Sequence, residues 1–468
     1  MRSKLVAPVV FSALALFCLP SHAQKAATLW LTTPDRSALL AKQSPSLPFT
    51  NSAANGQIID VDSAKTYQTI DGFGFALTGG SAMLIHRMDA AERAALLQEF
   101  LTTNGSGIGV SYIRVTIGSS DMNDHVYSYD DLPKGQIDPD LAHFSLAPDE
   151  TDVIPVLKEI LAINPKIKIL ASPWSAPVWM KTSDASKAGS LKPEYFAAYA
   201  TYLVKYIQSM RANGIPIDAI TVQNEPLNEN NTPSMLMLAP DQARFIAHDL
   251  GPAFQKAGIK IKIVLYDHNL DRPDYPLSIL KDAAANKYVD GSGFHLYEGK
   301  VDAMTQVHNA FPQKNLYFTE QMVIDEPATT KTLDISRPVA QIIIGATRNW
   351  SRNVLLWNLA ADPKFGPHTS DGGCPICEGA ITIDGSNVTR NIAWYSIAHA
   401  SRFVPPGSVR IDSNTLDTLP NVAFKTPDGM EILLVANPGD APQNFAVRYK
   451  GKAFTASLNG GSVGTYVW

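Results

Sequence analysis

From about residue 67 the chain alternates short apolar, β-rich runs with longer stretches whose apolar positions recur at helical spacing. Eight runs read as strands: "QTIDGFGF", "VSYIRVTIG", "KIKILASP", "DAITVQNE", "KIKIVLYDH", "VDGSGFHLY", "NLYFTEQ" and "NVLLWNLA". Each is short, rich in β-branched and aromatic residues, and bounded by polar or turn-forming positions, as buried strands are. The segments between them are amphipathic; "PEYFAAYATYLVKYIQSMRA", for example, puts Tyr195, Tyr199, Tyr202, Leu203 and Tyr206 on one helical stripe. Repeated strand–helix units predict an α/β fold, a closed (β/α)8 TIM barrel. No G-x-G-x-x-G opens a helix, which argues against an open dinucleotide-binding sheet. After Ser401 the pattern changes to period-two alternation broken by turn residues such as Asp428-Gly429, the chemistry of hairpins. That tail predicts a small all-β sandwich. The early run "GQIIDVD" has no ninth place in a barrel and is assigned to the sandwich as well. The expected plan is a segment 24–66 that contributes to the sandwich, a catalytic barrel over 67–400 and the sandwich domain over 401–468.

The first residues change the picture of location. Arg2 and Lys4 precede an apolar stretch from Leu5 to Leu19, followed by Ser21, His22 and Ala23. A charged start, an apolar centre and a small-x-small site make a secretory leader, expected to be removed after Ala23. The apolar run is shorter than the ~20 residues of a spanning helix, so no stable membrane insertion is expected once the leader is gone. The expected location is secreted or periplasmic. The formal net charge is −5, and the leader carries two basic residues and no acidic one, so the mature chain is more acidic still. An acidic surface excludes a nucleic-acid partner, which wants a basic face.

Of three cysteines, one leaves with the leader. The remaining pair, Cys374 and Cys377 in "GGCPICEGA", reads as a local disulfide in an exported chain. A redox motif would need a strand-to-helix setting, and zinc would need two more ligands than this loop offers. His268, His295 and His308 are scattered with no H-x-x-x-H or H-x-H spacing, so neither metal nor cofactor is expected.

Candidate chemistry comes from what ends each strand, because barrels of this kind react at the C-terminal ends. The fourth run ends in Asn224-Glu225-Pro226 and the seventh in Thr319-Glu320-Gln321. Others end near Asp121, Trp174, His295, Tyr297 and Trp357, with Arg114 inside the second. A lone Glu is most often a solvated or ion-paired residue. Two that follow buried β runs on nearly opposite strands are different, since buried charge is rare unless paired or functional. Two carboxyls ringed by aromatic and polar side chains suit a sugar: rings stack on pyranose faces and polar tips hold hydroxyls. Glycoside hydrolysis needs such a pair. Whichever of the two donates the proton is expected to have a pKa raised by the charge on the other.

The motifs "QTIDGFG", "SPWSAPVWMKT", "TVQNEP", "GFHLY", "YFTEQ", "LLWNLA" and "ITIDGSNVTRNIAWYSIAHASRFVPPGS" resemble those of glycoside hydrolase family thirty, the family of glucosylceramidases and β-1,6-glucanases. The resemblance runs from about Tyr67 to the end. It implies a retaining double displacement with Glu225 as acid/base, hence as the carboxyl of raised pKa, and Glu320 as nucleophile. It implies further that Asp121, Trp174 and Trp357 line the glucose subsite, that Asn224 belongs to the acid/base motif and binds substrate, and that Arg114, His295 and Tyr297 hold the nucleophile, the last two also touching substrate. One departure stands out: where glucosylceramidases read "FGGAMTDAA", this chain has Gly79 in place of the Asp. The expected substrate is a β-linked glucan or glucoside, with β-1,6-glucanase activity favoured and a glucosylceramidase-type exo-β-glucosidase as the alternative. From another class, a non-catalytic glycan-binding protein is a distant alternative.

Overall fold

The computed structural model describes residues 26–51, 56–325 and 333–468; the expected leader lies outside them. All eight expected barrel strands are present: β1 (Gly72–Leu77), β2 (Tyr112–Ile117), β3 (Lys168–Pro173), β4 (Ala219–Thr221), β5 (Lys262–Asn269), β6 (Val289–His295), β7 (Asn315–Glu320) and β8 (Ser351–Leu356). They pair in parallel in chain order and close β8 onto β1. Gly74 lets β1 approach β2 closely, because a Cβ there would stand 1.8 Å from the Tyr112 carbonyl.

Helices cover the outside, and the Tyr stripe is where its spacing puts it. In the helix Phe196–Ala212, Tyr199, Tyr202, Leu203 and Tyr206 are fully buried. One helix, Gly79–His86, is absent from the sequence expectation because two glycines head it. Thr78 caps it, its side chain accepting from Ser81 N at 3.0 Å. Packing decides the rest: a Cβ on Gly79 would stand 1.9 Å from Asn123 Nδ2. The position that holds Asp in glucosylceramidases is thus filled here by the Asn123 side chain.

The second domain is a ten-stranded sheet built from both ends of the chain. Strand Ala26–Thr32 pairs with Val463–Val467, and Gln57–Thr69 lies between Val409–Ser413 and Gln443–Tyr449. The sheet folds over one core, so that Phe454 and Tyr466, on strands far apart in the pairing order, meet with ring centroids 5.6 Å apart. Period two then serves two masters. In Asn421–Lys425 and Glu431–Ala436, Val422, Phe424, Ile432 and Leu434 pack on the barrel, whereas Ala423, Leu433 and Val435 fill the sandwich. Among the described residues no helix is long and apolar enough to cross a membrane.

Candidate active site

The C-terminal ends of the strands open into a cavity of about 550 Å³, within the range of ligand pockets. Asp121, Trp174, Glu225, His268, Tyr297, Glu320 and Trp357 all reach its wall, as do both cysteines. Cys374 and Cys377 form a disulfide in the loop after β8, with their Cα atoms 5.5 Å apart. Trp174 and Trp357 stack at 5.3 Å between centroids, presenting a flat apolar wall.

Below that wall runs a hydrogen-bonded network centred on Arg114, which β2 points into the barrel and buries completely. Its guanidinium donates through Nη1 to Glu320 Oε2, and through Nη2 to Asp267 Oδ2 at 2.8 Å, Asn224 Oδ1 at 2.7 Å and Ser172 Oγ at 3.1 Å. Only a guanidinium can spread donors over four partners in this way. Tyr297 donates its hydroxyl to Glu320 Oε1 at 2.9 Å. Glu320 is therefore held at both oxygens, on the last residue of β7.

Glu225 is held from other directions. Asn228 Nδ2 donates to Oε2 at 2.7 Å, and His295 Nδ1 donates to Oε1 at 3.2 Å. The same His295 nitrogen lies 3.8 Å from Glu320 Oε1, beyond hydrogen-bond reach but near enough for its charge to act on both carboxylates, and its Nε2 meets Asp267 Oδ1 at 3.1 Å. The two glutamates can be no farther apart than those two contacts laid end to end. Backbone strain fixes this arrangement. Glu225 and Asp267 have φ of 43° and 68°, a left-handed conformation rare for such residues, and the Glu225 N–H donates to the Asp267 carbonyl at 3.0 Å.

Charge shapes the protonation of the cluster. Burial lowers the affinity of His295 for its proton, but the charge of Glu320, the hydrogen bonds to Asp267 and Glu225 and the charge of Asp267 outweigh it, raising its pKa to about 9. Burial, then the charges of Glu320 and Glu225, push Asp121 up to about 8, so it is a neutral donor at pH 7. Burial raises Glu320 above the ordinary range, and the charges of Glu225 and Asp267 add to it against the pull of His295 and Arg114. Glu225 departs from expectation. Burial alone would raise it, but His295 by hydrogen bond and charge, His268 by charge and Asn228 by hydrogen bond bring it down to about 2. The opposite shifts of His295 and Glu225 favour a proton on the imidazole, one hydrogen bond away from Glu225.

All the expected site residues converge, but not all on the wall. Asn224 and His295 do not line the cavity; Asn224 supports Arg114, and His295 is buried behind the two glutamates. Two residues escaped the sequence reading. Asp267, which anchors Arg114, His295 and Thr319, and Asn228, which holds Glu225, are both essential to the geometry. The signal for Asp267 was available, since it is a charged residue ending a buried β run just as Glu225 is. Among the described residues two groups have metal-ligand spacing, with ligand atoms within 4.8 Å of one another: Glu225, His268 and His295, and, in the loop after β2, Asp130, Asp138 and His143. In the first, both nitrogens of His295 are engaged with carboxylates.

Comparison with known proteins agrees with this geometry. Residues 70–404 match the glycosyl hydrolase family 30 TIM-barrel domain and residues 407–466 its beta sandwich domain. An endo-1,6-beta-D-glucanase of Trichoderma harzianum is 34% identical over 401 residues, 81% of this chain and 79% of its own length. The lysosomal acid glucosylceramidase of Mus musculus is 28% identical, covering 89% of this chain and 84% of its own. Among solved structures, the endo-beta1,6-glucanase BT3312 superposes with a TM-score of 0.86 at 34% identity, over 95% of this chain and 99% of its own.

Proposed function

The chain belongs to glycosyl hydrolase family 30, and from that premise we propose that it is an exported β-1,6-glucanase acting by retaining double displacement. One observation carries the chemistry: Glu225 and Glu320 line one cavity, with the imidazole of His295 hydrogen-bonded to the first and 3.8 Å from the second. Glu320, oriented at both oxygens by Arg114 and Tyr297, attacks the anomeric carbon. Glu225 gives its proton to the departing oxygen. His295 supplies that proton through the Nδ1–Oε1 contact, so that Glu225 is protonated only when substrate drives the transfer. In the second half, Glu320 is an uncharged ester, and Glu225 takes the proton of the attacking water. Neutral Asp121 donates to a sugar hydroxyl, and the Trp174–Trp357 wall packs on the pyranose ring.

The linkage rests on relatives named as endo-1,6-beta-D-glucanases at 33–34% identity. A second reading, glucosylceramidase activity, has relatives too. Against it, the cavity wall beyond Glu225 is polar, with Asn228, Asn231, His268, Asn269, Arg272 and Glu298. Such a wall suits a hydroxyl-rich leaving group better than a lipid. Export rests on the leader at residues 1–23. Digests of β-1,6-glucan, laminarin, cellobiose, gentiobiose and glucosylceramide decide between the readings: β-1,6-oligosaccharides are the expected products. NMR of the first product is expected to show the β-anomer, and an initial α-anomer would refute retention.

A further inference from the structure

One polar group in the cavity has no task in this mechanism. His268 follows Asp267 in β5, its side chain is nine-tenths buried, and it lines the cavity beside Glu225. Its Nδ1 lies 3.8 Å from Glu225 Oε1, beyond hydrogen-bond reach, and has no hydrogen-bond partner among the described residues. The carboxylate it faces is already served by His295 and Asn228. A buried ring nitrogen left unpaired is costly, and here the cost is held beside the carboxylate that must meet the leaving group. Burial also lowers the pKa of this imidazole, with the His295 charge in the same sense, against the raising charges of Glu225, Asp271 and Asp267. Burial thus biases the ring toward its neutral form, which has one nitrogen to donate and one to accept.

Its place on the barrel says what the ligand is. The aromatic wall and Asp121 stand on loops after β2, β3 and β8; Asn228 stands after β4, His268 at the end of β5 and Glu298 after β6, the opposite arc, which Glu225 borders. The acid/base must touch the oxygen that leaves, so this arc receives the leaving group. We infer that His268 is a specificity-determining residue of the leaving-group subsite, where it hydrogen-bonds a hydroxyl of the departing sugar and, in the second half-reaction, of an accepting one. This rests on the assignment of Glu225 and Glu320 above. In the accepting step the hydroxyl oxygen bonds to the anomeric carbon, the ester bond to Glu320 breaks with its electron pair returning to the carboxylate, and the hydroxyl proton passes to Glu225. Water completes the same step without a sugar to be held.

The glycosyl-enzyme therefore has two fates whose ratio reads His268 directly. An aryl β-glycoside donor is turned over by wild type, His268→Ala and His268→Asn with gentiobiose added as acceptor, and transfer product is measured against hydrolysis product. His268→Ala is expected to lower the transfer-to-hydrolysis ratio about 5- to 10-fold, the worth of one hydrogen bond to a hydroxyl, and His268→Asn to recover part of it. The ratio is set within one intermediate and does not depend on how much variant folds. A wild-type enzyme that partitions and variants that partition identically would overturn the inference while leaving the glutamate assignments intact. A wild-type enzyme that forms no glycosyl-enzyme, shown by inversion of the product anomer, would overturn those assignments and this inference with them.

Discussion

The two ends of the barrel each hold a cluster of charges, and they are composed in opposite ways. At the N-terminal end Asp71 is gripped by three cations, Lys168 at 2.9 Å, Lys262 at 3.1 Å and Arg352 at 2.9 Å. At the C-terminal end a single guanidinium, Arg114, faces Asp267 and Glu320, with Glu225 bridged to them by His295 and Asp121 close by. In the first cluster Asp71, with Asp218 and Asp290 nearby, matches the three cations, and Asp71 is driven well below the usual range, though burial opposes this. The second has more carboxylates than fixed cations, so protons are drawn in: His295 is held charged and Asp121 is held neutral. A matched cluster contributes stability; an unmatched one stores groups ready to exchange protons. Barrels of this kind use their two ends for these two purposes.

The sharpest way to break the comparison is to remove one acid from each end. Glu320→Gln is expected to lower turnover by on the order of 10⁴-fold or more while the protein stays folded, and a mechanism-based fluoro-glycoside should label Glu320 alone in the wild type. Peptide mapping of the label to another carboxylate would overturn the assignment. Glu225→Ala should act more selectively. Substrates with poor leaving groups should slow by about 10²- to 10⁴-fold, the usual worth of an acid/base. An activated aryl glycoside should slow far less, and azide should rescue its turnover as the β-glycosyl azide. Equal loss for both substrates, with no azide rescue, would remove Glu225 from the role.

The N-terminal cluster should respond the other way round. Asp71→Asn leaves Lys168, Lys262 and Arg352 without the carboxylate they all grip and is expected to cost about 2–4 kcal/mol of stability, with kcat/KM on surviving folded enzyme changed little. Thermal unfolding read beside initial rates checks this. A variant that keeps its melting temperature but loses activity would mean that the two ends are not separable.

Acidity gives the smallest and most diagnostic difference. Asp71 has a depressed pKa, so its contribution is present above about pH 4 and is lost as pH falls. His295 has a raised pKa, so its contribution is complete below about pH 6.5 and is lost as pH rises through about 9. Melting curves across pH should show Asp71→Asn losing its deficit in acid and His295→Gln losing its deficit in alkali, each by a few degrees. The basic limb of the activity profile should move to lower pH in His295→Gln, because the proton shared with Glu225 is no longer held. A limb that does not move would take His295 out of proton supply.

What the amino-acid order determined by itself was the periodicity: eight buried runs, the stripes between them, and the change to period two after Ser401. Hydrophobic spacing is a local property, and burying it leaves few solutions, so the barrel, the sandwich and the strand ends carrying Glu225 and Glu320 were legible. Helix Gly79–His86 was not, because its glycines are tolerated only through contacts with Asn123 and the neighbouring loop. Nor was the protonation of the site. Whether Glu225 or His295 keeps the proton depends on distances between β2, β4, β5, β6 and β7, which stand up to about 200 residues apart in the chain. The expectation of a raised Glu225 counted the charge of Glu320 and could not count a buried imidazole lying between them. Electrostatic energy falls with separation in space, not in sequence, so only the closed barrel decides which of these groups is acid, which is base and which is merely held in place.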